Sequence, residues 1–392
     1  MSFRGRLLPF AVLLFVLPFP GTVAFRLLAL AGGLIVCAFV WHREGFPEIP
    51  ARTALLLLIA CALLSLATAV DAEYSLGEIK NELGYAMAAY LGFLTLTRTL
   101  ADARVFVAAL ILGSLALSAA ALREHFFSDS GLWIEGGLAG GSGSYSTYVL
   151  TLMPVLLWAG CVFQHRHRWV AVAGLVFSQL LLASLTGQRA FWAAFVLQAV
   201  FALYLLRARG FIAISNARVG IMGMTVLVFS VLVVVSASTK REQSIDAWIQ
   251  DPRINVWSQV VERIRQYPLA GKGFGRNTMK NAYPEIRPKD FTAVWHPHNT
   301  FLNYGVAMGL PGMLLLILVF FVLLRSFWRL SRVQDRVIAM AGICGVLLVV
   351  GVVTRNLAND FFQRDLALLF WAIAGMLLGY GNHAKHEAKS KP

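Results

Sequence analysis

Charge is scarce in this chain: Asp, Glu, Lys and Arg make up 14% of its 392 residues, while 58% are hydrophobic. So few polar side chains cannot cover a water-soluble globule of this size, which places the chain among integral membrane proteins. The strict alternation of apolar and polar residues that marks barrel strands is missing too, leaving helices as the membrane-crossing element. Cysteine is sparse. Cys37, Cys61, Cys161 and Cys344 sit singly in apolar runs with no C-x-x-C pair, so four free, buried thiols are expected and a disulfide framework is excluded. There is no H-E-x-x-H and no third His or carboxylate at ligand spacing around His296 and His298. There is also no D-x-D pair to hold a divalent cation against a diphosphate. The site is expected to use no metal and no cofactor. The formal charge of +14 is scattered over many short loops rather than gathered on one element, so nucleic acid is not an expected partner.

What the chain does have is a series of apolar runs long enough to cross about 30 Å of hydrocarbon. They fall near 7–20, 22–41, 53–70, 79–97, 103–122, 147–163, 168–186, 189–206, 218–237, 300–324, 337–354 and 365–381, about twelve spans. Arg4 and Arg6 precede the first run, but no A-x-A-like site follows, so it is read as an uncleaved span. The organisation is therefore nine spans in 1–237, a large loop over 238–299, and three spans with a tail in 300–392. Loops near Arg43, Arg98, Arg166, Arg209 and Arg332 carry the positive charge, and the opposite loops hold Asp71, Glu73, Glu78 and Asp129. The positive-inside rule then puts both termini in the cytoplasm and the long loop on the outer face. Loops of that length are generally functional or disordered. The Gly-rich stretch Glu135 to Ser144 reads as a second outer loop.

Within the long loop, Asp251-Pro252 has the form of a helix start and Pro268 ends it, predicting a helix to about Tyr267. Trp257, Val260 and Ile264 share its apolar face with Arg253 in the middle. An arginine there asks for an anion, or snorkels to water, or pairs with Asp251 or Glu262. Arg189 follows Thr186-Gly187-Gln188 at the outer end of a span, where arginine is disfavoured. Two arginines reaching one outer cavity suit a diphosphate, because guanidinium presents paired donors in a planar fork. Lys80, Arg123, Arg355 and Asp360 are further outer-face groups for which interfacial solvation is the simpler reading. The loop closes on Trp295-His296-Pro297-His298-Asn299-Thr300, a polar cluster entering an apolar span, with His298 as the candidate reactive group.

Three runs, Asp251-Pro252-Arg253-Ile254-Asn255-Val256-Trp257, Tyr267-Pro268-Leu269-Ala270-Gly271-Lys272-Gly273-Phe274-Gly275 and His296-Pro297-His298-Asn299-Thr300-Phe301-Leu302, together resemble the O-antigen ligase family. Thr186-Gly187-Gln188-Arg189 looks like that family's intramembrane arginine motif. The resemblance covers about a third of the chain. It implies an all-α, GT-C-like membrane glycosyltransferase, metal-independent and inverting, active on the periplasmic face. Such an enzyme moves O-antigen from undecaprenyl diphosphate (donor) to lipid A–core (acceptor) in lipopolysaccharide biosynthesis. It makes His298 the base and Arg189 and Arg253 the diphosphate ligands, with His296, Asn299, Gln188 and Gly273 in support. Gly271, Gly273 and Gly275 would shape a tight turn. Two alternatives stay open: an O-antigen polymerase using the same donor, and a lipid or glycan transporter, which would place its ionisable groups nearer the membrane midplane.

Overall fold

The computed structural model describes residues 5–127, 137, 140–213, 224, 252–286 and 295–390. The described residues form helices and no strand. In chain order they are α1 (Leu8–Val16), α2 (Val23–Glu44), α3 (Arg52–Leu64), α4 (Ala72–Glu78), α5 (Tyr85–Leu96), α6 (Leu100–Phe127) and α7 (Ser142–Val162). They continue as α8 (Arg168–Ser184), α9 (Arg189–Ala208), α10 (Pro252–Gln266), α11 (Thr278–Ala282), α12 (Thr300–Ser331), α13 (Arg336–Asn356) and α14 (Arg364–Ser390). Among them, seven are long and apolar enough to cross a membrane: α2, α6, α7, α9, α12, α13 and α14.

Several expected spans change form. The first, near 7–20, is a helix of nine residues, too short to cross, because Pro18 and Pro20 stop it. The third continues past α3 only as a 3₁₀ turn over Ser65–Thr68. The fourth, near 79–97, opens on a π-helical segment, Ile79–Gly84, that joins α4 to α5. Ser142 to Ser144 already belong to α7 rather than to the Gly-rich loop. The expected span at 218–237, apart from residue 224, and the cap Asp251 lie outside the described residues. Of the four free cysteines, Cys37 and Cys344 are buried, but Cys61, on the partly exposed α3, and Cys161, in the last turn of α7, are half-buried.

At the centre stands α13, buried without interruption from Ile338 to Val349 and packed against α7, α9, α12 and α14. A helix apolar all round needs such complete burial. At one end of the bundle Arg98 pairs with Glu44, Arg209 Nη2 donates to Val333 O (3.1 Å) and Arg336 Nη2 to Gly210 O (3.2 Å). At the other, Arg364 pairs with Glu78 (2.9 Å), Arg26 with Asp365, and Asn299 Nδ2 donates to Leu357 O (2.9 Å). The Arg98–Glu44 and Arg364–Glu78 pairs each join segments that the charge pattern assigns to the same side.

The local feature that builds the site is a break in α12. Gly309 adopts φ +73°, ψ −173°, and Pro311 follows inside the helix. Pro311 has no N–H for the carbonyl of Ala307, and the Leu310 N–H turns away to Pro268 O (2.8 Å), leaving the carbonyls of Val306 and Ala307 unserved. The loop after α10 supplies the missing donors: Lys272 N to Val306 O (2.9 Å) and Gly273 N to Ala307 O (3.1 Å). On its other side, Val70 N donates to Lys272 O (3.0 Å) and Thr68 Oγ1 to Gly271 O (2.8 Å). The glycines are therefore needed for close approach between two segments rather than for a tight turn alone. A Cβ on Gly271 would lie 2.0 Å from Ala307 O, and one on Gly273 (φ +101°) 2.5 Å from Ser75 Oγ. Gly271→Ala is expected to destabilise by ~1–3 kcal/mol through overpacking against backbone, read as a lowered melting temperature in detergent.

Candidate active site

Onto that loop the amphipathic α10 lays Val256, Val260 and Ile264, which bury themselves with Met279, Tyr283, Ile286 and Val306. Trp257, expected on that face, is half-buried and uses its indole Nε1–H to hold Pro297 O at 2.6 Å. The 295–299 segment is thereby pinned to α10 from one side. Asn299 pins it from the other: it is the N-cap of α12, its Oδ1 accepting from Leu302 N at 3.1 Å.

Between these two anchors His298 has φ +50°, a left-handed backbone that costs a non-glycine residue about 1–2 kcal/mol. Such strain persists only where the surroundings over-determine it, and it clusters at functional sites. His298 is half-buried and its ring lies 3.8 Å from that of His296, centroid to centroid. His296 is more enclosed, with only 1% of its surface exposed. Arg276 Nη2 donates to His296 Nε2 (2.6 Å), the backbone N of His298 lies 3.1 Å from Nδ1, and Asp360 Oδ2 is 3.9 Å from Nδ1. Trp295 completes the stack: its ring meets His296 edge-on at 4.6 Å and carries the Arg276 guanidinium at 5.0 Å.

Burial first, then the charges of Arg276, His298 and Arg253, hold His296 down to about 2 from an ordinary 6.5. It is neutral at any physiological pH and serves Arg276 as a fixed acceptor. The folded state refuses a proton that the unfolded chain takes up below about 6.5, so this ring costs stability as pH falls from 6.5 towards 2, and not above that window. His296→Gln, which keeps an acceptor for Arg276, is expected to move the acid-unfolding midpoint to lower pH, followed by tryptophan fluorescence. Asp360 sits across from this pair, 3% exposed. Burial pushes its carboxyl up, opposed by Arg276 (Nε at 3.7 Å) and by a hydrogen bond with Thr300 Oγ1 (3.0 Å).

The arginine side of the site is different in kind. Arg355, at the last turn of α13, is fully buried. Its Nε donates to Thr147 Oγ1 (3.1 Å), and its Nη2 to Ser146 Oγ (3.1 Å) and Gln188 Oε1 (3.3 Å). All three partners are neutral, and Nη1 is buried without a hydrogen-bond partner among the described residues. Arg253 Nη1 donates to Ala358 O (3.2 Å), and its charge acts on Arg355 and His296 alike. A buried cation held by neutral groups, next to a second cation, costs several kcal/mol unless an anion joins it.

The sequence-selected residues thus divide as follows. Arg253, His296, His298 and Asn299 come together around the 295–299 segment. Gln188 reaches the group by its contact with Arg355 and also donates to Ser142 Oγ (3.2 Å), while Arg189 opens α9 one residue further on. Gly273 supports the loop from beneath. Lys80 and Arg123 are exposed, as interfacial solvation requires. Arg355 and Asp360 are not solvated at all. The signal for Arg355 lies in its position at the end of an apolar run, where an ionisable group is a functional suspect. Arg276, a single cation in a polar loop, has no periodicity to mark it.

Residues 173–317 match the family model described as O-Antigen ligase, a stretch that includes Gln188, Arg189, Arg253, the glycine loop and the 295–299 segment. No curated protein matches the chain.

Proposed function

We propose that this chain, whose residues 173–317 match the family model described as O-Antigen ligase, transfers O-antigen from undecaprenyl diphosphate to lipid A–core on the periplasmic face of the inner membrane. The observation that carries this reading is the fully buried Arg355, held by neutral groups, with Arg253 and a strained histidine close by. Arg253, Arg355 and Arg189 hold the donor diphosphate. The acceptor hydroxyl oxygen attacks the anomeric carbon from the face opposite the diphosphate. His298 takes the hydroxyl proton as the C–O bond to the diphosphate breaks, and the bonding pair leaves with the diphosphate. Inversion follows from that in-line displacement. Preorganised guanidinium groups in a site shielded from water stabilise the charge most as it develops, which is the role a divalent cation plays in other phosphate sites. His298 and the arginines gather at one end of the bundle, where a transporter would spread ionisable groups towards the midplane.

The test is reconstitution. Purified protein in lipid, given both substrates in the presence of EDTA, is expected to form lipopolysaccharide. Elongation of the lipid-linked glycan without transfer to lipid A–core would select a polymerase instead, and loss of all product in EDTA would remove the metal-independent mechanism.

A further inference from the structure

Against Phe361, over whose ring the Arg355 guanidinium lies at 5.2 Å, is a cavity of about 550 Å³, within the roughly 300–1,000 Å³ typical of small-molecule sites. Arg253, Arg355 and His298 do not line it. Its walls include Trp295, Arg276, Tyr74, Glu78 and Arg364, and its apolar part is formed by Leu117, Leu366 and Leu369 among others. Trp295 and Arg276 are the partners that enclose His296, against which His298 stacks. The candidate base thus packs on a ring that is held by two wall residues of the cavity, and a third wall residue, Phe361, lies under the Arg355 guanidinium at 5.2 Å.

The two compartments differ in electrostatics. On the arginine side, Arg355 is held by neutral hydroxyl and amide groups. In the cavity the cations meet acids: Arg364 Nη2 lies 2.9 Å from Glu78 Oε1, Arg276 Nε 3.7 Å from Asp360 Oδ2, and Asp365 pairs with Arg26. A charge-balanced wall gives no net attraction to a phosphate, yet offers both donors and acceptors. Together with the rings of Trp295, Tyr74 and Tyr145, that chemistry fits an uncharged polyhydroxylated ring, whose hydroxyls take both kinds of bond and whose C–H faces lie on aromatics.

We infer that this cavity binds the sugar that accepts the transferred chain. The inference rests on the ligase reading, since an inverting displacement needs nucleophile and leaving group on opposite faces of the anomeric carbon. A charge-balanced cavity bounded by Trp295 and Arg276 beside the His296–His298 pair, and by Phe361 beneath Arg355, puts an acceptor next to both the base and the cationic site. Ser144 and Gln363 line the cavity without taking part in the ion pairs and provide the handles.

The probe is the core oligosaccharide released from O-antigen-free lipopolysaccharide by mild acid, observed by saturation-transfer NMR with the full chain in nanodiscs. It is expected to bind wild type and to lose its signal in Ser144→Trp, which fills the cavity. In the transfer assay, Ser144→Trp and the milder Gln363→Ala are expected to raise the acceptor KM, by about tenfold or more for the first, with donor KM within about twofold of wild type. No binding to wild type, equal binding to Ser144→Trp, or a rise confined to the donor KM would overturn the inference. Binding that Ser144→Trp abolishes, in a protein that transfers no glycan to lipid A–core, would sustain the cavity as a sugar site while the ligase reading fails.

Discussion

His298→Ala is expected to lower turnover by ~10³-fold, within the roughly 10²–10⁴ that a positioned general base contributes, with no gain in melting temperature, because Ala at φ +50° stays strained. The stability half of this expectation comes from the backbone. At φ +50° the native residue is strained, and Asn tolerates that conformation better than most side chains while keeping a polar group. His298→Asn therefore separates the two roles: it is expected to be as inactive as Ala and to fold at least as well as wild type. A His298→Asn enzyme retaining near-normal turnover would show that the histidine shapes the loop and moves no proton. His296 offers the contrast. Held neutral and buried against Arg276, it acts through the position of its neighbour, so His296→Gln should retain far more activity than His298→Asn.

The second large effect concerns Arg355. Arg355→Gln is expected to reduce turnover by ~10²–10³-fold, the loss typical of removing one preorganised group that meets developing charge. Thermal stability should hold or rise, because the substitution removes a buried charge while leaving Ser146, Thr147 and Gln188 with a polar partner. A structural arginine would behave in the opposite way, with stability lost and activity following it. Arg355→Lys and Arg253→Lys keep the charge but not the planar fork, and both are expected to be strongly impaired. Near-normal turnover in Arg253→Lys would take Arg253 out of the diphosphate site.

Much of the frame is legible in the sequence, for physical reasons. Hydrocarbon thickness sets span length, so α2, α6, α7, α9, α12, α13 and α14 coincide with apolar runs to within a few residues at most ends. Loop charge sorts the sides, and contacts such as Arg98–Glu44 and Arg364–Glu78 respect that sorting. The helical period places Arg253 on the face of α10 that carries Val260 and Ile264. Less legible is anything that depends on what a loop touches. The break at Gly309 and Pro311 can be seen in the sequence, but not that Lys272 and Gly273 repair it. Arg276 carries no pattern, and its bond to His296 exists only because the glycine loop is drawn against α12. Arg355 and Asp360 read as solvated groups because composition does not tell an interfacial residue from one that a neighbouring helix has covered. Most informative is that Arg355 and Asp360 lie outside the matched 173–317 stretch, so half of the charge arrangement comes from α13 and the turn after it.

The division of labour between the arginines and His298 is tested most directly by the affinity for undecaprenyl diphosphate, the leaving product, in nanodiscs containing EDTA. The account predicts that His298→Asn binds it within about threefold of wild type, whereas Arg355→Gln and Arg253→Gln each weaken binding by about tenfold or more. Unchanged affinity in both arginine variants, or a loss confined to His298→Asn, would contradict it.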